Sequence, residues 1–342
     1  MNTPDSRAPK TLVVHHRSGI GDLVWHIPYL RAIAQRSRDG RITLMARPSS
    51  RAADVLAAED CIDEIIEFDH RPRASERRRG RHDSLGAQWA LVGELRRRDF
   101  DRIVVFASRP RYAVLAWLAG IPRRAGFGFS AAERLWLNEP PYIRPHSGPG
   151  NWVYPEATEF AVAQGFVDGP RLPRMKVLPQ AQADAERWLD GLAAPVALSI
   201  ASSEARKHWG DARYAELAQA LAAAGHGVVL VGGPAEAAMA ARIVDAVAAG
   251  QRPFVRALTQ PSIQLSAAVL HRCRLCVGND TGVLNMAAAN EVPALGLFGA
   301  TPPLRHDPLL QAIEGRGMDT IEPDAVLARV RSMLDTAQLN AS

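Results

Sequence analysis

Val277-Gly278-Asn279-Asp280-Thr281-Gly282 ends a short apolar run, Leu275 to Val277, in an Asp-Thr-Gly turn, and a helical stretch follows from about Val283 to Asn290. The run predicts a buried strand and the turn a strand-to-helix loop. Glycines at 278 and 282 permit positive φ and close backbone approach, while the free N–H groups and positive dipole end of the helix face the loop. A loop of this kind suits a phosphate or pyrophosphate. An ordinary capped turn fits the tripeptide equally well, so its surroundings decide.

Two further strand ends in the same half carry small, polar or Gly-rich loops: Ser202-Ser203 through Lys207, and Gly232-Gly233-Pro234-Ala235-Glu236. The hydroxyls of Ser202 and Ser203, the Lys207 ammonium and the amides of Thr281 and Gly282 together suit a diphosphate. Glu236, at a helix start just past a strand, suits ribose hydroxyls; a carboxylate that merely complements the helix dipole is the simpler reading.

Around these loops, β-branched apolar runs alternate with amphipathic helical stretches, the pattern of parallel sheets with crossover helices. In the first half, strands are expected at 11–15, 41–46, 64–68 and 102–106, with helices near 22–36, 50–58, 85–97 and 113–119. A Pro- and Gly-rich connection with one helical stretch covers 138–179. A second cycle then places strands at 196–200, 227–231, near 255, 275–277 and 294–298, and a last helix at 323–335. The expectation is an α/β chain of two Rossmann-like doubly wound domains, residues 1–170 and 171–322, followed by a terminal segment, 323–342. Ligands of such sheets bind at the carboxyl ends of the strands.

Composition agrees. The 342 residues exceed the usual size of one core, and 47% hydrophobic with 23% charged residues is a globular balance. No apolar run is long enough to span a bilayer, and the polar start, Met1 to Lys10, has no signal-peptide core, so a cytoplasmic protein is expected. Cys273 and Cys276 form a CxxC with His271 before it, but a second ligand pair is missing, and plain buried thiols are the expectation. The net charge of +5 is carried mostly by clustered arginines, including Arg71, Arg73, Arg77, Arg78, Arg79 and Arg81. Without interleaved aromatics or a nucleic-acid motif, these point to an acidic substrate at an anionic membrane surface rather than to nucleic acid; a solvated loop is the plainer alternative.

The first strand feeds Arg17-Ser18-Gly19-Ile20-Gly21-Asp22. A dinucleotide fingerprint needs a third glycine where Val24 stands, which makes a nicotinamide dehydrogenase the weakest reading. Asp22, in the first turn of the helix, is either a helix-end aspartate or a carboxylate held ionised for proton abstraction. Arg17, Arg47, Arg109, Arg111, Arg123 and Arg124 lie at or near strand ends or loops of this half, where they suit carboxylates or phosphates of an acceptor.

Gly21-Asp22 with Ile27-Pro28, Lys207-His208-Trp209, and Asp280-Thr281-Gly282 with Leu297-Phe298-Gly299-Ala300-Thr301 resemble glycosyltransferase family 9, the ADP-heptose:lipopolysaccharide heptosyltransferases, over residues 11 to 335. The resemblance implies a GT-B fold, with two domains facing across a cleft and the terminal helix packing back on the first. It implies inverting, metal-independent transfer of heptose from ADP-heptose to an anionic core acceptor such as Kdo-lipid A, with no other cofactor. The implied base is Asp22. The donor phosphates fall to Ser202, Ser203, Lys207, Asp280, Thr281 and Gly282, and the ribose to Glu236. Asn285 stands where the family commonly has a histidine, and can donate one hydrogen bond to the donor but no charge. Thr301-Pro302-Pro303 departs from a segment more often acidic. The implied setting is a monomer at the cytoplasmic face of the inner membrane, peripherally bound. Two alternatives stay open: the same fold with another nucleotide sugar, for polysaccharide or protein glycosylation, and a catalytically silent nucleotide- or glycan-binding module.

Overall fold

A computed structural model describes residues 8–72, 76–202 and 204–339, with side chains through Thr336. Ser203 and Arg73 lie outside the described residues. The chain divides into two units, one through Gly148 and over Trp152–Pro173, the other over Pro149–Asn151 and from Arg174 on. The boundary expected after residue 170 thus falls after Pro173.

The first unit runs β1 (Thr11–His15), α1 (Ile20–Ala34), β2 (Ile42–Ala46), α2 (Ala52–Val55), β3 (Ile62–Glu67), α3 (Leu85–Arg98), β4 (Arg102–Phe106), α4 (Pro110–Leu118), β5 (Arg123–Gly126), α5 (Ala131–Arg134) and α6 (Val153–Ala163). Its five strands are parallel, in the order β3-β2-β1-β4-β5. The runs TLVVH, ITLMA and RIVVF are buried throughout, as central strands covered on both faces must be. Register levels their ends: His15 pairs with Ala46 on one side and Phe106 on the other. The loops that begin at His16, Arg47 and Ala107 therefore emerge side by side.

The second unit runs α7 (Pro179–Leu189), β6 (Val196–Ser199), α8 (Asp211–Ala223), β7 (Val228–Val231), α9 (Ala237–Ala246), β8 (Val255–Leu258), α10 (Ile263–His271), β9 (Leu275–Asn279), α11 (Gly282–Ala289), β10 (Ala294–Phe298), β11 (Leu310–Glu314) and α12 (Pro323–Leu339). The strand order is β11-β10-β9-β6-β7-β8, again all parallel. Ser199 at the end of β6 is level with Val231 and Gly278, which gathers the three loops singled out in the sequence at one end of the sheet.

Val326, Val330, Met333 and Leu334 of the terminal helix α12 are buried in the second unit's core with Trp209, Tyr214 and Val277, so its apolar stripe serves that unit. The thiols of Cys273 and Cys276 are buried, and burial pushes the Cys273 pKa up to about 12 and that of Cys276 further in the same direction. Neither is poised as a thiolate. No helix among the described residues is long and apolar enough to cross a membrane.

Candidate active site

In the second unit, the loop after β6 is tied to the turn after β9 by Asn279. This buried side chain accepts the Trp209 N–H through Oδ1 (3.1 Å) and donates from Nδ2 to the Ala201 carbonyl oxygen (3.1 Å). Trp209 is fixed from its other end, where its indole N–H donates to the Ile321 carbonyl oxygen (2.8 Å). Lys207, two residues before Trp209, is thereby presented to the turn: its Nζ donates to Asp280 Oδ2 (3.0 Å), and the Thr301 hydroxyl donates to the same oxygen (3.0 Å). Thr281 caps α11 in extended conformation, with its hydroxyl 2.9 Å from that of Ser199. Neither Gly278 nor Gly282 has positive φ. What Gly278 provides is proximity: a Cβ there would overlap the Ser199 carbonyl oxygen of the adjacent strand.

The other donor candidates divide. The Ser202 hydroxyl donates to the Glu204 carbonyl oxygen (2.6 Å), shaping the loop that carries Lys207. Glu236 takes the Gly233 N–H on Oε2 (2.8 Å), the helix-start arrangement. Asn285 is buried, and its Nδ2 reaches back along its own helix to the Thr281 carbonyl oxygen (3.4 Å). It supports the turn from behind.

In the first unit, Asp22 lies half-buried in the first turn of α1. The helix starts at Gly19 without a side-chain cap, and a Cβ at Gly19 would stand 3.0 Å from Asp22 Oδ2, so the carboxylate folds over the open helix end. Two buried imidazoles lie behind it. His26 Nδ1 is 2.6 Å from the Asp22 carbonyl oxygen, and its ring meets that of His15 edge-on at 4.7 Å. Burial pushes the His26 pKa down to about 4 and that of His15 well below its usual value, so both are neutral near pH 7. Arg17 sits over the Trp152 ring at 3.8 Å. Burial pulls its pKa down, and the Asp22 and Glu156 carboxylates oppose that pull.

Beside this point, Arg47, Arg71, Arg109 and Arg111 line a cavity of about 150 Å³ with His16 and Tyr112. His16 Nδ1 is 2.7 Å from the Tyr112 hydroxyl. Burial, and then the guanidiniums of Arg17, Arg47, Arg109 and Arg111, hold the His16 pKa down at about 4. Among the described residues none of the four lining arginines has a carboxylate ion-pair partner; Arg47 donates to the Arg71 carbonyl oxygen (2.6 Å). Like charges so grouped form a ready anion site.

Arg123 and Arg124 do not join it. They begin β5, level with Arg102 and Ile103 at the opposite end of the sheet. Arg123 pairs with Glu139 (2.7 Å), and Arg124 donates to the carbonyl oxygens of Trp136 (2.6 Å) and Ile121 (2.8 Å). Both hold the chain and are removed from the acceptor set. Arg71 lines the cavity in their stead. No three His, Cys, Asp or Glu side chains among the described residues are grouped to hold a metal ion.

A family model, glycosyltransferase family 9 (heptosyltransferase), matches residues 88–332, which include both the arginine loop after β4 and the whole Lys207–Asp280 arrangement. The chain belongs to glycosyltransferase family 9. Lipopolysaccharide heptosyltransferase 2 of Escherichia coli (strain K12) is 26% identical over 287 residues, which span 77% of this chain and 80% of that protein. Among solved structures, the glycosyl transferase family 9 protein from Veillonella parvula superimposes with a TM-score of 0.79 at 19% identity, covering 97% of this chain and 99% of that one. E. coli heptosyltransferase WaaC with ADP-2-deoxy-2-fluoro heptose gives 0.70 at 20% identity, covering 94% and 99%. The fold class is the GT-B type expected.

In this family 9 glycosyltransferase, sequence reasoning missed the residues that position rather than contact. Asn279 and Ser199 hold the two loops, and Thr301 holds Asp280. Their signal was present as polar residues in or after runs otherwise wholly apolar, where a buried polar atom must have a partner. Arg71 was visible only as one member of a charge cluster.

Proposed function

We propose that this glycosyltransferase transfers heptose, with inversion, from ADP-heptose to an anionic lipopolysaccharide-core acceptor. The observation that carries the reading is the Lys207 ammonium held 3.0 Å from Asp280 at the N-terminus of α11. A diphosphate bound there meets a fixed cation and the Thr281 and Gly282 amides. These offset the charge that develops as the bond from the anomeric carbon to the diphosphate oxygen breaks, without requiring a metal. Asp280, itself an anion, holds Lys207 and Thr301 in place and stays off the phosphates. Glu236 turns from the Gly233 N–H to the ribose hydroxyls when donor is present.

Asp22 is the general base. An acceptor hydroxyl gives its proton to the carboxylate while its oxygen forms the new bond to the anomeric carbon, and ADP leaves with the electron pair of the old one. Arg17, Arg47, Arg109 and Arg111, with Arg71, hold the acceptor's carboxylates or phosphates. The heptosyltransferase names of the relatives favour heptose, and the solved relative holding an ADP-heptose analogue favours ADP. A glycolipid acceptor puts a monomer at the cytoplasmic face of the inner membrane.

The test is incubation with ADP-, GDP- and UDP-sugars, each with Kdo-lipid A or its heptosylated form, followed by mass analysis of the lipid. A gain of one heptose from ADP-heptose alone is expected. Transfer from another nucleotide sugar in its place, or nucleotide binding without transfer from any, would replace this reading.

A further inference from the structure

Helices α3, α4 and α5 form one layer on the first unit: α3 and α4 touch, as do α4 and α5, and Arg96 of α3 donates to the Leu118 carbonyl oxygen at the end of α4 (2.6 Å). The inner side of this layer is ordinary core, with Leu91, Val92, Leu95, Tyr112 and Leu115 buried. Its outer side is not ordinary surface. Leu85 is 77% exposed, Trp89 59%, Trp117 51% and Leu135 75%. Of the eight large apolar side chains most exposed among the described residues, these four belong to this single layer. Trp117 also packs edge-on against Trp136, at 5.1 Å between ring centres.

On α3 the apolar residues follow helical spacing. Leu85 and Trp89 stand one turn apart, Arg96 continues the same stripe, and Gly86, Ala90 and Gly93 beside them leave the two large side chains standing clear. Scattered exposed apolar residues need no explanation, but a grouped set rimmed by charge marks an interaction face.

The sign of the rim identifies the partner. Within α3, α4 and α5 the carboxylates are Glu94, paired with Arg98 (2.9 Å), and Glu133, which is buried; beside them Glu64 pairs with Arg98 and Glu76 with Arg78 (2.8 Å), while Glu67 and Asp99 are exposed at the margin. Arg96, Arg97 and Arg134 are exposed around the tryptophans, and Arg77, Arg79 and Arg81 are exposed on the loop that leads into α3. Tryptophan and leucine flanked by guanidinium groups match the boundary between lipid headgroups and acyl chains of an anionic bilayer.

We propose that the outer face of the α3–α4–α5 layer docks on an anionic lipid bilayer. The proposal rests on the glycolipid-acceptor reading and gives that reading a geometry. Arg71 of the arginine pocket belongs to the same basic loop that leads into α3, so the pocket and the N-terminal end of the docking layer are joined by one loop.

The test is co-sedimentation of the full chain with vesicles of phosphatidylcholine alone and of equal parts phosphatidylcholine and phosphatidylglycerol. The wild type is expected to partition to the mixed vesicles and not to the neutral ones. Trp89→Ser with Trp117→Ser, and separately Arg77→Gln with Arg79→Gln and Arg97→Gln, should each lower that partition about ten-fold or more. Both variants should keep wild-type melting and wild-type turnover on a lipid-free acceptor sugar. Wild type that ignores anionic vesicles, or variants that sediment as wild type does, would overturn the proposal. So would variants that lose self-association while keeping vesicle binding, since the face then belongs to a second copy of the chain. Vesicle binding lost in the variants, in a protein that transfers no sugar, would leave the docking face standing and remove the function.

Discussion

On the proposed mechanism Asp22 and Lys207, which belong to separate units, divide the chemistry between them. Asp22→Asn keeps the side-chain shape and removes the base, so turnover should fall by about 10²- to 10⁴-fold. Lys207→Ala removes the cation that meets the leaving diphosphate; ADP affinity and turnover should fall together, checked by calorimetry and initial rates. Asp280→Asn discriminates further. If Asp280 acts by holding Lys207 and Thr301, the variant should bind ADP no more tightly than wild type despite the lost negative charge, whereas a tighter complex would show that the carboxylate merely repels the phosphates. In the arginine pocket, Arg109→Gln with Arg111→Gln should raise the acceptor KM and flatten its dependence on salt, with ADP affinity unchanged. At this scale the sequence was informative about charge and blind to partnership. Lys207 and Asp280 were legible as residue types at strand ends, but their mutual bond was not, and Arg123 and Arg124 resembled acceptor ligands until the register of β5 put them at the wrong end of the sheet.

Each unit positions its own candidate residues at level strand ends, those of β6, β7 and β9 in one and of β1, β2 and β4 in the other. Closeness of β6 to β9 depends on Gly278, since any Cβ there runs into backbone and not into a side chain that can move. Gly278→Ala should therefore cost about 1–3 kcal/mol, read as a lower melting temperature, and should weaken ADP binding by displacing Asn279 and the turn. The central strands were legible because a strand covered on both faces has to be a continuous apolar run. Of the four edge strands, β3 and β8 were legible, but β5, RRAG, and β11, LQAIE, were not, because these half-wetted segments have the composition of a loop. The fate of α12 was hidden for a different reason. Its apolar stripe announces that it packs, and says nothing of which core it packs on.

For the whole molecule, pH dependence follows from the buried imidazoles. His16, His26 and His306 have folded pKa values of about 4, below the 6.5 of an unperturbed histidine, and His15 is shifted the same way. The unfolded chain therefore takes up protons on these groups before the folded one does, so stability should hold above about pH 6.5 and fall as the pH drops from there toward 4. Burial lowers His82 as well, and Glu156, raised by burial, opposes this as one group against five. Thermal melts across that range, with His16→Asn and His26→Asn each reducing the slope, check the assignment. On the proposed mechanism, sugar transfer from ADP-heptose depends on the Asp22 carboxylate as base. Its most direct test is the rate of heptose transfer to core glycolipid by Asp22→Asn and wild type, with ADP affinity measured on the same preparations. Affinity within error of wild type and turnover lower by about two orders of magnitude or more is the predicted result; near-normal turnover in the variant would contradict it.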